Sequence, residues 1–255
     1  EKYWDDINPF IKFGCMRDDK FYSRVKDILI YKSTDGGYTL LKDYLERNSE
    51  KHKDQVFYIS DEKQQAQYIR IFKENDLEAL YLNSVIDSHF INFLEMKETG
   101  TRFLSVDSDI SEGLKDKSGK EDKKLQKALE SLFKDSLNKE DLKIQVEALK
   151  TSDIPAVLLM SEQSRRMQEM TRYFGNSSMG SFPVEHTLVL NKNNNLIVKL
   201  SEMKDKEDRK DDVDLICSHV YDLAMLSHKP LEPNEMTDFV KRSNQLLSRL
   251  AELEN

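Results

Sequence analysis

The sequence is short of almost every residue pattern that announces chemistry. Its 255 residues hold two cysteines, Cys15 and Cys217, distant from each other and in no CxxC pair. That excludes a disulfide scaffold and a thiol redox motif, and predicts two buried free thiols. Glycine and proline are sparse, at 8 and 5, and neither GxGxxG nor GxxxxGK[ST] occurs. Without such a loop there is no ready-made backbone cradle for a phosphate. Gly36-Gly37 follows a helical pattern rather than a strand, so it reads as a plain turn. The five histidines, His52, His89, His186, His219 and His228, form no HExxH and no spacing suited to a closed zinc shell. Cys217 and His219 lie two apart on one helical pattern, roughly 200° around it, and cannot share a metal. No GxSxG elbow is present, and most carboxylates fall in charge runs that read as solvated faces. Catalytic and metal residues are therefore predicted to be absent. No apolar run reaches the length of a membrane span, and Glu1-Lys-Tyr-Trp opens no apolar signal region, so the predicted compartment is the cytoplasm, with no membrane partner. With 39 Lys and Arg against 47 Asp and Glu, the net charge of -8 argues against nucleic acid as a partner.

What the chain does have is charge and aromatic residues. Charged residues make up 34% of it, yet 12 Phe and 10 Tyr are too many for a disordered chain, so a folded protein is predicted. The length allows two domains. Trp4, Ile7, Phe10 and Ile11 have helical spacing, with Pro9 expected to break or kink that helix and Gly14 to end it. Phe21 to Tyr31 is predicted as a second helix, Thr34-Asp-Gly-Gly as a turn, and Thr39 as the cap of a short helix carrying Leu40, Leu41, Tyr44 and Leu45. The period then changes. Val56–Ser60, Leu77–Leu82 and Phe103–Val106 are apolar, β-favouring runs separated by amphipathic segments, so strand and helix alternate and a small parallel sheet with right-handed crossovers is predicted. Residues 1–106 make up this first α/β domain.

From Asp107 to Lys124 the hydrophobic pattern disappears into mixed charge, predicted as a linker. Residues 125–255 form the second, α+β domain. Leu125, Leu129, Leu132, Phe133 and Leu137 line one helix; Leu142–Val146, Ala156–Met160 and His186–Leu190 are strands; Asn191 is expected to cap a helix over Asn195–Met203. The last forty residues read as two amphipathic helices joined by a turn at Pro230 and Pro233, with Asn234 expected to cap the second. Val213, Ile216, Val220, Leu223 and Leu226 mark the apolar face of the first. Met236, Phe239, Val240, Leu246, Leu247 and Leu250 mark that of the second. Two helices cannot bury such stripes alone. The economical cover is a second copy, giving a four-helix bundle across a two-fold axis and a homodimer.

One further stripe invites a binding role. On the helix predicted from Glu162 to Phe174, Met167, Met170 and Phe174 align with Tyr173 beside them, flanked by Arg165, Arg166 and Arg172. Methionine accommodates varied apolar partners, and the Gly/Ser-rich loop that follows, with Met179 and Phe182, points to an element loosely held to the body.

These features together resemble the 90-kDa heat shock protein chaperones of the bacterial HtpG type. Tyr3-Trp4 with Phe10-Ile11-Lys12 and Gly14, Val56-Phe-Tyr-Ile-Ser, and Leu80-Tyr-Leu-Asn with Ile86-Asp87 look like segments of that family's middle domain. Pro155-Ala-Val-Leu, Met170, the loop with Met179, Leu190-Asn191 and Leu226 to Leu247 look like its C-terminal domain. The resemblance covers the whole chain in many weak motifs that keep their order. It implies the end of the middle domain followed by the dimerisation domain of a larger chaperone, as does an opening at Glu1 inside a helical pattern. It also implies a surface for unfolded or partly folded clients at Met167, Met170, Tyr173, Phe174 and His89. ATP and Mg, cofactors of the full-length family proteins, have no binding domain here, so no cofactor and no ATPase activity are expected of this piece. By the same resemblance, a chain finishing Glu252-Leu-Glu-Asn, and not in the MEEVD of the eukaryotic cytosolic members, is not expected to recruit tetratricopeptide co-chaperones. The alternative is a small-molecule or nucleotide-binding α/β domain with an oligomerisation tail. It would need a phosphate loop after Ile59 or Leu82, where Ser60-Asp-Glu-Lys and Asn83-Ser-Val-Ile are poor ones.

Overall fold

The computed structural model describes residues 1–109, 112–116, 122–167, 185–204 and 206–252. It divides into two compact units, one of Glu1–Leu114 with Ser161–Val184 and one of Lys115–Met160 with Glu185–Asn255. The second unit is thus interrupted by a segment that belongs with the first, where the sequence pattern placed residues 125–255 in one contiguous domain. Asp107, expected to open a linker, is buried in the first unit, where it accepts hydrogen bonds from Gln65 Nε2 at 2.7 Å and Ser105 Oγ at 2.6 Å.

The first unit opens with α1 (Trp4–Arg17), which runs through both Pro9 and Gly14. Proline has no N–H to offer the carbonyl one turn back, and here the Asn8 side chain supplies the missing donor, reaching Asp5 O at 3.1 Å and Trp4 O at 3.0 Å. Gly14 makes room for a neighbour instead of ending the helix: a Cβ there would lie 3.0 Å from the Phe21 ring. Asp18 caps α2 (Asp19–Val25) by accepting from Lys20 N and Phe21 N. The helix predicted to reach Tyr31 stops at Val25, because Ile30–Lys32 is β1, paired antiparallel with β2 (Tyr38–Leu40) in the register Ile30↔Leu40. Gly36 and Gly37 take the positive φ values, 96° and 71°, that this hairpin turn demands. Thr39 therefore lies in a strand, and the residue before α3 (Leu41–Arg47) is Leu40, with no side-chain cap.

Next come β3 (Gln55–Ile59), α4 (Ala66–Glu74), β4 (Leu80–Tyr81), α5 (Asp87–Lys97) and β5 (Arg102–Ser105). The strands form a parallel sheet in the order β4-β3-β5, as their alternation with helices predicts. β4 is shorter than its apolar run, within which Glu78 is turned inward and accepts from Ser33 Oγ, Asn48 Nδ2, and Nε and Nη2 of Arg47 at 2.6–3.1 Å. A helix over residues 162–167, α7, completes the described part of the unit. Cys15 and the aromatic rings of Tyr44, Phe90 and Phe103 are fully buried in its core.

The second unit packs helices on a mixed sheet. α6 (Lys123–Leu137) is capped by Asp122 and ends at Asn138 in the left-handed conformation, φ 47°. β6 (Lys143–Glu147) runs parallel to β8 (His186–Asn191), and β7 (Ala156–Met160) pairs antiparallel on its other side, giving the order β6-β8-β7. α8 (Asn195–Met203), α9 (Lys210–Leu226) and α10 (Pro233–Glu252) follow. Asn194, and not Asn191, caps α8 by accepting from Leu196 N and Ile197 N. Asn191 is fully buried and ties the β6–β7 connection together through Leu149 N, Thr151 O and Ile154 O. Asn234 lies inside α10, whose first residue is Pro233; Glu235 reaches back to accept from Glu232 N at 2.9 Å. Leu129, Leu132 and Phe133 of α6 join the sheet residues and Val213, Cys217, Val220 and Ala224 of α9 in one core. Both cysteines are free and buried, and burial pushes the Cys217 thiol up to about 12, which makes it inert. Among the described residues no helix is long and apolar enough to cross a membrane, and no group of three metal-ligating side chains converges.

Candidate functional site

The most exposed apolar face of the second unit belongs to α10. This 20-residue helix buries none of its residues, although its apolar side chains are gathered on one side. Met236, Val240, Leu247 and Leu250 are 39, 49, 63 and 61% exposed, and at about 100° per residue they fall within a stripe roughly 80° wide. Leu223 of α9, 43% exposed, adds to the apolar surface of this helix pair. α10 is fixed to α9 along a different edge. The Phe239 ring stacks on His219 with centroids 5.1 Å apart, and Arg242 donates two hydrogen bonds, 3.0 and 2.7 Å, to Asp222 Oδ2. Near the far end Arg249 pairs with Asp212, so the helices run antiparallel. Burial keeps the His219 imidazole below its ordinary range, while Asp222 and Arg242 act on it in opposite directions.

This geometry separates the residues that one stripe of sequence had grouped. Leu223, Met236, Val240, Leu247 and Leu250 are exposed; Leu226, Phe239 and Leu246 are half-buried. Ile216 packs against the core from its margin, and Val213 and Val220 are inside it. α9 has two apolar faces, and sequence spacing does not say which one meets its own sheet.

In the first unit, Met167 is exposed on α7. Its neighbours Arg165 and Arg166 are tightly engaged, while the loop with Met179 and Phe182 lies outside the described residues. Arg166 reaches Glu95 at 2.7 Å, Glu162 at 2.9 Å, Asn92 Oδ1 at 2.8 Å and Phe103 O at 3.2 Å, and Arg165 pairs with Asp107. Burial opposes the charge of Arg166, but the two carboxylates outweigh it and hold the guanidinium above its usual range. Glu162 also accepts from Tyr58 Oη at 2.7 Å and Ser105 N at 3.0 Å. Met170, Tyr173, Phe174 and Arg172 lie outside the described residues. His89 is exposed in the first turn of α5, one turn beyond exposed Val85.

At the carboxyl ends of β3 and β4, side chains engage several of the backbone amides. After β3, Ser60 N and Asp61 N donate to Gln65 Oε1, and Lys63 N and Gln64 N donate to Asp61 Oδ1. After β4, Ser84 N and Oγ both donate to Asp87 Oδ2. These amides are already engaged and are not among the donors a phosphate could use. Asp87 also holds Lys12 in a buried ion pair of 2.5 Å, a contact between residues 75 apart that sequence gives no means of finding.

The family model described as Hsp90 protein matches residues 1–255, the whole chain. The chain belongs to the Hsp90 family. It is 29% identical over 220 residues to the chaperone protein htpG of Bacteroides fragilis (strain YCH46), covering 81% of this chain and 32% of that protein. It is also 29% identical over 210 residues to the chaperone protein HtpG of Bacteroides thetaiotaomicron, covering 77% and 31%. With the HtpG of Buchnera aphidicola subsp. Cinara cedri it shares 26% identity over 257 residues, covering 96% and 39%. The chain spans about a third of the length of these relatives. In this Hsp90-family chain several exposed large apolar side chains, among them those of α10, lie on helix faces.

Proposed function

We propose that this chain is the part of an HtpG-type chaperone that joins two protomers and presents apolar surface to unfolded or partly folded clients, without turning over ATP. The unburied stripe of α10 carries the proposal. A helix with its apolar side chains aligned and exposed gains from a matching surface, and a second copy of the same two helices supplies one. In that four-helix bundle Leu223, Met236, Val240, Leu247 and Leu250 form the contact, with Leu226, Phe239, Leu246 and Ile216 behind them. Val213 and Val220 contribute by holding α9 on its sheet. A stable interface of this kind buries on the order of 1,600 Å² in total.

The client surface uses Met167 and His89 of the first unit, extended by the resemblance to Met170, Tyr173 and Phe174. The first unit takes the role of the end of the middle domain, and the second that of the dimerisation domain. Binding through a few methionines and aromatics is weak enough to be reversible, which suits a protein that must release what it holds. Sedimentation of the chain over micromolar concentrations tests the core of the proposal. A mass that rises from one to two protomers is expected; a monomer at every concentration overturns it.

A further inference from the structure

Two histidines meet at the start of the connection from α9 to α10. His186 opens β8, and its ring lies edge-on to that of His228, centroids 5.3 Å apart and planes at 79°. His228 follows α9 directly, is buried, and anchors the α9–α10 connection by donating from its backbone to Met225 O at 2.9 Å; Lys229 N donates to the same carbonyl at 2.8 Å. Two residues on, Leu231 packs on the core. The His186 Nδ1 is buried without a hydrogen-bond partner.

We propose that the His186–His228 ring pair is an acid-sensitive latch on the α9–α10 connection, whose opening loosens that connection while the direct contacts between α9 and α10 remain. The connection leads into α10, so the latch bears on the pairing role given to that helix above. The surroundings of His186 favour a neutral ring on every side that bears charge. Burial comes first, then the facing His228, then the Lys229 ammonium; together they bring His186 down to about 4. Across the sheet its register partner is Met160, which carries no charge. The adjoining carboxylate, Glu185, is engaged at 2.8 Å by Lys143 and does not offset Lys229.

The sign follows from linkage. Above the ordinary histidine value of 6.5 neither the closed nor the open form takes a proton at this position. Between 6.5 and about 4 the open form takes one and the closed form does not, so the latch weakens as pH falls through that window and changes no further below it. The same two values make opening roughly thirtyfold more frequent at about pH 5 than at about pH 7.5.

Hydrogen exchange at the His228 and Lys229 amides of the full chain, which donate to Met225 O, reads this directly once corrected for intrinsic rates. The unaltered chain should show the roughly thirtyfold increase, and His186→Phe, which keeps a ring but cannot titrate, should reduce it to a few-fold or less. Lys229→Gln provides a second route that leaves both rings in place: the His186 Cε1–H resonance should titrate at a higher pH than in the unaltered chain. An undiminished response in His186→Phe, or a His186 resonance titrating at the ordinary value, overturns the proposal. Sedimentation at both pH values separates the latch from the pairing role. A monomer at either pH with the exchange response intact leaves the latch standing and removes the dimer; a dimer with flat exchange does the reverse.

Discussion

The pairing face can be broken with two substitutions that the fold of the protomer should tolerate. Leu247 and Leu250 are 63 and 61% exposed, so their replacement removes little intramolecular packing. Fully burying a leucine is worth about 1.5–3 kcal/mol, and the part of each side chain left for a partner to cover is therefore worth about 1–2 kcal/mol. Two-fold symmetry counts each substitution twice, giving about 2–4 kcal/mol for Leu250→Asp alone, or roughly 30- to 1,000-fold in Kd. The aspartate adds to this, because it would carry an unpaired charge into a dry seam. Leu247→Asp with Leu250→Asp should therefore be monomeric at tens of micromolar, with unchanged circular dichroism. Gln245→Asp, on the opposite side of the same helix, should leave the mass unaltered. Light scattering after gel filtration decides the matter. Dimers persisting in the double variant, or dissociation by Gln245→Asp as complete as that of the leucine pair, would refute the assignment of this face.

Other outcomes follow from the same structure. Lys12→Met strands the Asp87 carboxylate among buried neighbours and should cost about 3–5 kcal/mol in urea unfolding; a loss under 1 kcal/mol would mean that the pair is open to water. Met170→Ser with Phe174→Ser should weaken suppression of aggregation of a denatured model protein at least several-fold while solution mass is unchanged, and full suppression would remove these residues from the client surface. A phosphate-release assay with Mg-ATP should stay at background; turnover above it that scales with chain concentration would overturn the proposal that this chain does not turn over ATP.

The local physics of this fold is largely visible in the sequence. The alternation of apolar runs with amphipathic segments from Val56 to Val106 dictates a parallel three-stranded sheet, because that spacing leaves room only for helical crossovers. The stripes of α6 and α10 follow from spacing in the same way. The hairpin of β1 and β2 was hidden because Ile28 to Tyr31 fits a helical period as well as an extended one, and only pairing with Tyr38–Leu40 decides between them.

The candidate surface divides along the same line. Periodicity reveals that a helix has an apolar face but not what the face meets: α9 gives Val213 and Val220 to its own core while α10 leaves Met236, Val240, Leu247 and Leu250 uncovered. The attachment of α7 to Glu95 and Asp107, the pairing of Lys12 with Asp87, and the meeting of His186 with His228 each join residues 42 to 75 positions apart or farther from any local pattern. By itself the sequence determined most elements from Val56 onward, their order and the family, since these rest on neighbours a few residues apart and on motifs kept in order. Only the tertiary structure decided which apolar faces are spent inside the protomer and which buried charges find partners, because those outcomes depend on three-dimensional closure of the chain.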